Sequence, residues 1–297
     1  MNNEIQTIQD VRRPDTLLSA DRLKMVAMII MLIDHIGAFL LNDSDPLYPV
    51  LRIIGRLAFP IFCYLIAEGT HYTRSMPKYM GRMAVFAIIS TPPYNLVHGS
   101  QWYSADNINV FFTLFFGLAA IYSVSCLPQA VFRKLGLKRL ADNKTVCLLL
   151  GLPLCALCFF AAHWMETDYA EYGVAVILIF WLLRRHPAVA WLSFAALTFF
   201  AFCVFIASTD MYGAVQYYRI NVSNLVTELL MKDGSRLYYY SQKQIYAVLA
   251  IFPCMLYNGK RSNPGDKLIP KSKYLFYAFY PVHLWCLWLI QLCAGIQ

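Results

Sequence analysis

Uncharged apolar runs of roughly 18 or more residues recur along this chain, separated by polar and mostly basic connections. This pattern constrains the fold more than any single motif. Lipid offers backbone N–H and C=O groups no hydrogen-bond partner, which leaves the α-helix as the way for such a run to cross. Composition agrees: 59% of the 297 residues are hydrophobic and 14% are charged, where a water-soluble domain carries about 25% charged residues. The expected class is an all-α integral membrane protein. A soluble enzyme, a nucleic-acid-binding domain and a disulfide scaffold are excluded. The net charge of +8 reads as membrane topology and not as a polyanion partner.

Nine candidate spans can be read, at residues 22–41, 49–68, 79–97, 108–127, 145–163, 170–183, 187–207, 242–257 and 273–293, of which the sixth and eighth are short. Ser19 or Asp21 can cap the first helix, and Pro46, Pro92, Pro93, Pro128, Pro187 and Pro264 punctuate the connections. Nineteen of the 25 basic residues fall in alternate connections or at the span ends beside them, beginning with the N-terminal arm. Cytoplasmic loops retain positive charge, so the N-terminus is expected inside and the C-terminus outside. Residues 1–21 form a polar cytoplasmic arm without the apolar core of a cleavable signal, and residues 22–297 form a single transmembrane domain. A long outer loop occupies about 208–241. A tenth span or re-entrant segment hidden there would bring the C-terminus inside, so the bundle has about 9 to 10 spans.

The nine cysteines lie in or beside apolar runs and read as free thiols packing as small apolar groups, including the Cys155–Cys158 pair. No metal is expected. Ionisable groups inside a span are costly and normally face the bundle interior or a wet cavity. Asp34 and His35 in the first span and Arg52 and Arg56 in the second sit at similar depths, counted at ~1.5 Å per residue from the shared outer end. The expected division pairs Asp34 with an arginine while His35 points into a cavity. Asn109 and Thr113 on the fourth span, and Tyr280 and His283 on the last, lie at compatible heights. Glu68 ends the second span on the inner side. Lys24, Met28, Met31 and His35 form one stripe. Buried Arg–Asp pairs also hold helices together without chemistry. His98 and His163 read as interfacial residues, Tyr238 to Tyr240 as an aromatic belt, and Asn221 to Ser223 as a weak glycosylation sequon on the outer side.

The stretches LKMVAMIIMLIDHIGAFL, LRIIGRLAFPIFCYLIAEGTHYTR, NVFFTLFFGL, YAVLAIFPCMLYNGKR and KYLFYAFYPVHLWCLWLI appear in order and resemble the TraX family. Its named member is the inner-membrane N-acetyltransferase of conjugative F-pilin. The resemblance covers spans one to four and the last two, while the middle matches in hydrophobic character alone. That family is similar in turn to membrane acyltransferases of the acyltransferase-3 type, including bacterial sugar O-acetyltransferases. By position, the family's Asp-His-Ile-Gly falls on Asp34 to Gly37, its Gly-Arg-Leu-Ala-Phe-Pro on Gly55 to Pro60, and its tyrosine-proline-x-histidine on Tyr280 to His283. The chain departs from it at Thr91 to Tyr94 and in the long outer loop.

The resemblance implies an acyl-CoA-dependent acyltransferase of a bacterial inner membrane. Acetyl-CoA would be the donor, and a pilin-like peptide or glycan on the outer side the acceptor. His35 is then the general base or transient acyl carrier, with Asp34 and Arg52 or Arg56 setting its environment. His283, Asn109, Thr113 and Tyr280 would line the acyl site. Lys24, Arg74 and Lys78, with Glu68 nearby, would meet the CoA on the cytoplasmic side. Two rivals predict other behaviour. A transporter or lipid flippase would use the buried charges for coupling and would show paired broken helices. An assembly partner of a conjugation or secretion complex would tolerate neutral replacements in the charged cluster.

Overall fold

A computed structural model describes residues 18–42, 44–102, 108–201, 244–262 and 273–296. The expected N-terminal arm up to residue 17, the loop at 208–241, Asn221, Tyr238 to Tyr240 and Pro264 lie outside the described residues.

The described chain is helical, with isolated bridges and no strand among the described residues. Each of the nine apolar segments contributes helix. In chain order the helices are α1 (Ala20–Leu40), α2 (Leu47–Gly55), α3 (Ala58–Tyr72), α4 (Met76–Val97), α5 (Val110–Ser125), α6 (Leu127–Lys134) and α7 (Lys138–Asp142). They continue as α8 (Lys144–Trp164), α9 (Ala170–Leu182), α10 (Pro187–Phe199), a 3₁₀ segment (Tyr246–Ala250), α11 (Ile251–Met255) and α12 (Lys273–Ala294). Four stretches are long and apolar enough to cross a membrane: Ala20–Leu40, Leu47–Tyr72, Lys144–Trp164 and Tyr274–Ala294. The bent pair α5–α6, which turns by 53°, makes a fifth. The fold is thus an all-α polytopic membrane bundle. The remaining apolar helices, α9, α10 and Tyr246–Met255, are shorter. The nine-span reading therefore exceeds what length and composition support among the described residues.

The chain ascends and descends between two ends. One, here the basic end, carries the start of α1 and the connections with Arg74, Lys78, Arg133, Lys134 and Arg184; the other is the far end. α5 packs on α4, α8 and α9; α3 packs on α1 and α9; and α12 packs on α4 and α1. Ser19 caps α1, its side chain accepting the Arg22 N–H, while Asp21 pairs with Lys24. At the basic end, residues 256–261 run along the start of α1, with backbone bonds from Leu18 to Leu256 and from Ala20 to Lys260.

Three local features shape the site. The second span is two helices, because Arg56 and Leu57 form a turn between α2 and α3 and Pro60 supplies no N–H to close it. Pro92 and Pro93 lie inside α4 and not in a connection. One turn before these prolines the Ser90 and Thr91 hydroxyls and the Asn109 amide donate to the carbonyls of Phe86 and Ala87, which gives these buried polar side chains partners inside the bundle. Finally, α1 and α2 touch at Gly55, where an added Cβ would overlap the Asp34 side chain.

Alanine ordinarily stabilises a helix relative to glycine. Gly55→Ala is nevertheless expected to lower stability by about 1–3 kcal/mol, the range for overpacking. Thermal unfolding in detergent checks it: an unchanged or higher melting temperature would remove the close approach from the account.

Candidate functional site

Asp34 lies where the far half of α1 meets the C-terminal end of α2. Arg52 Nη1 is 2.7 Å from Asp34 Oδ1, and Arg56 Nη2 is 3.3 Å from each carboxylate oxygen. Arg56 Nε also donates to the Arg52 carbonyl (3.4 Å) and Nη1 to Gln244 Oε1 (3.4 Å), beside the 3₁₀ segment. Both arginines lie at the C-terminal end of α2, where positive charge is favoured by the orphan carbonyls. The sequence paired Asp34 with one arginine; the structure gives it both.

A second carboxylate approaches this cluster. Asp168, in the connection between α8 and α9, interacts electrostatically with Arg56, Arg52 and Asp34. That connection is strained, since Glu166, Tyr169 and Ala170 adopt positive φ of 48°, 67° and 38°, conformations costing roughly 1–3 kcal/mol each away from glycine. Its neighbours hold it there. The Asp168 N–H donates to the Ile108 carbonyl at 2.7 Å, and the Thr113 hydroxyl reaches the Asp168 carbonyl and the Thr167 hydroxyl. The Tyr169 ring stacks on Phe59 at 3.7 Å.

His35, one residue after Asp34, points away from the arginines and meets α12. Its Nδ1 is 2.6 Å from His283 Nε2. The two rings are tilted by only 10° with centroids 4.9 Å apart. So large a separation with nitrogens so close means that they meet edge to edge, aligning N–H with lone pair. His283 Nδ1 is 2.8 Å from the Phe279 carbonyl, which can only accept, so Nδ1 carries the proton. In the neutral pair His283 Nε2 is then the acceptor, His35 Nδ1 the donor, and His35 Nε2 is left with its lone pair. A ring held this way is an oriented base. Tyr280 flanks both rings, its centroid 6.2 Å from His35 and 5.5 Å from His283. Phe39 covers His35 on the far side, 5.4 Å away, and itself meets the His98 ring at 4.8 Å. Among the described residues no three His, Cys, Asp or Glu side chains converge as a metal site would require.

The other candidate residues divide by position. Asn109 is fully buried and committed: its Oδ1 accepts the Phe111 N–H at the start of α5, and its Nδ2 donates to the Ala87 carbonyl and toward Thr91. Thr113 is equally buried and anchors the Asp168 connection. Glu68 lies at the basic end, away from the histidines, where its Oε1 accepts from Arg184 Nε at 2.7 Å. Lys24 is bound to Asp21 at 2.8 Å and covers the Phe276 ring, so it does not extend the stripe toward His35 as a free cation. Arg74 and Lys78 are exposed at the basic end.

The sequence profile described as "TraX protein" matches residues 19–291. The chain belongs to the TraX family. The match contains every candidate residue from Lys24 to His283. A protein of Dichelobacter nodosus, named "Probable fimbrial assembly protein FimC, serogroup H1", is 26% identical over 284 residues, or 90% of this chain and 93% of that one. An uncharacterized protein of Rickettsia prowazekii (strain Madrid E) is 31% identical over 102 residues, 34% of this chain and 36% of that one. No solved structure matches this TraX-family chain.

Sequence reasoning on this TraX-family member did not find Asp168, Gln244 or Phe39. Asp168 stands in a loop beside Glu166, and nothing local signals that it turns inward; only the packing of Tyr169 and Thr113 does. Burial pushes its carboxyl up from 3.8 to about 6, against the pull of Arg56. An acid whose pKa is higher folded than unfolded takes up a proton on folding. Its contribution to stability is therefore full below 3.8 and is lost as pH rises through about 6. Melting temperatures in detergent across that window are expected to fall with rising pH by a component that Asp168→Asn removes. An identical profile in the variant would refute this assignment.

Proposed function

We propose that this chain is a membrane-bound acetyltransferase that carries an acetyl group from acetyl-CoA, entering at the basic and cytoplasmic end, to an amine or hydroxyl presented at the far end. The observation that carries this reading is the His35–His283 relay, which leaves a lone pair on His35 Nε2 within the bundle. In the step envisaged, the acceptor's nitrogen or oxygen attacks the thioester carbonyl. A C–N or C–O bond forms as the C–S bond breaks, and the acceptor's proton passes through His35 Nε2 to the departing CoA thiolate. His283 steadies the imidazolium, and the Asp34–Arg52–Arg56 cluster fixes the segment of α1 that presents His35.

Support also comes from family membership and from the resemblance to the F-pilin N-acetyltransferase. The Dichelobacter relative's fimbrial assembly name points to a pilin-like peptide as acceptor, with a glycan as the other class. The proposed location is a bacterial cytoplasmic membrane.

A transport reading draws on a specific feature: at the turn between α2 and α3, within a single span, Arg56 donates to Gln244 beside the 3₁₀ segment, a buried cation of the kind that lines substrate pathways. One experiment separates the two. Purified protein in detergent is expected to bind acetyl-CoA and hydrolyse it slowly, with turnover reduced by Arg56→Ala. A folded protein that binds no acetyl-CoA would favour transport.

A further inference from the structure

Most described arginines within the bundle have an acidic partner: Arg52 and Arg56 pair with Asp34, and Arg184 with Glu68. Arg82 differs. It lies on α4 about 9 Å along the helix from its start at Met76, half-buried, and among the described residues no carboxylate lies within 4 Å of it. Its surroundings are aromatic. The guanidinium leans back over the Tyr79 ring, 5.5 Å from the centroid, and the Tyr277 hydroxyl of α12 interacts with it. Its Nε is buried without a hydrogen-bond partner. A cation held at this depth by neutral rings, with a donor unspent, is costly unless an anion completes it. Lys78 sits one turn toward the basic end on the same face of α4, and exposed Arg74 precedes the helix. Together they make a basic ladder, four residues per rung, rising from the surface to Arg82. Above it a column of rings continues to the histidines: Tyr277 lies 6.4 Å from Phe111, Phe111 lies 5.1 Å from Tyr280, and Tyr280 flanks His35.

We propose that Arg82, with Lys78 below it, binds the phosphate of a ligand that enters from the basic end. A guanidinium with an unspent donor and no carboxylate partner matches phosphate oxygens in both charge and hydrogen-bond geometry. On the acetyl-CoA reading, on which this identification of the ligand rests, the group bound is the donor's diphosphate, and the acyl arm lies along the ring column. A lipid headgroup offers the same chemistry.

The test uses full-length protein in detergent and four probes: CoA, pantetheine, inorganic pyrophosphate and, by native mass spectrometry, phosphatidylglycerol. Arg82→Gln is expected to weaken CoA binding about tenfold or more and to leave pantetheine binding unchanged, while Arg82→Lys stays within about threefold of wild type. Lys78→Gln, at an exposed position without folding risk, is expected to weaken CoA about threefold. Should wild type bind no CoA, yet hold pyrophosphate or phosphatidylglycerol in a manner that Arg82→Gln or Lys78→Gln reduces, the phosphate site stands and the acetyl-CoA reading falls. Equal binding of every phosphate-bearing probe by wild type and both neutral variants, or binding of none of them, overturns the proposal.

Discussion

His35→Ala is expected to lower acetyl transfer by about 10²–10⁴-fold, the range for loss of a positioned general base, with the protein still folded. The expectation rests on the proton arrangement. His35 donates from Nδ1 to His283 Nε2, and His283 donates from Nδ1 to the Phe279 carbonyl, so the basic nitrogen of the pair is His35 Nε2. Removing His283 should cost less than removing His35, because His283 orients and stabilises the base without being it. His283→Gln, whose amide oxygen can still accept from His35 Nδ1, should retain more activity than His283→Ala. Acetyl-CoA hydrolysis or labelled-acetyl transfer by purified variants reads the series. A His35→Ala enzyme working at the wild-type rate would sink the assignment, and equal losses at His283→Gln and His283→Ala would remove the relay.

The second large effect is structural. Asp34→Ala leaves Arg52 and Arg56 buried together, with Asp168 the nearest remaining carboxylate. Breaking a buried pair by deleting one partner costs about 3–5 kcal/mol, and here one carboxylate serves two guanidiniums. The variant is expected to lose most of its folded yield, as read by size-exclusion chromatography after detergent extraction. Asp34→Asn should fall between, keeping shape and a weak acceptor while losing charge. The exchange Asp34→Arg with Arg56→Asp is the informative partner experiment. Recovery of folding without recovery of transfer would separate the cluster's holding role from chemistry, whereas wild-type folding in Asp34→Ala would show that the pair carries little.

These expectations rest unequally on sequence and tertiary structure. Helix content was legible because apolar runs of membrane length admit only one satisfied backbone. The common depth of Asp34, His35, Arg52 and Arg56 was legible because rise per residue converts position into height. Even the separation of Asp34 from His35 follows, since adjacent helical residues diverge by about 100°. The break after Gly55 was not foreseen, although Gly55 and Pro60 were both in view, because either alone is tolerated within a helix. The shared use of Asp34 by both arginines depends on how closely α1 and α2 approach, and the missing Cβ at Gly55 decides that.

Rotation about helix axes was the information that the sequence did not contain. Depth alone could not say whether His35 faced a cavity or α12, and the answer came from α12 packing against α1 and α4. Asp168 was invisible for a related reason: a loop carries no periodicity, and its inward turn is enforced by Ile108, Thr113 and Phe59 on other elements. Arg82 lies within the third apolar run, and its spacing from Lys78 places both on one face of α4, but the sequence does not show which rings surround it. The sequence by itself determined a basic-ended helical membrane bundle with its charges at matched depths, because hydrophobic length and backbone hydrogen bonding act locally. Only the tertiary structure decided which side chains met, because that depends on crossing points and helix rotation set by residues far apart in the chain.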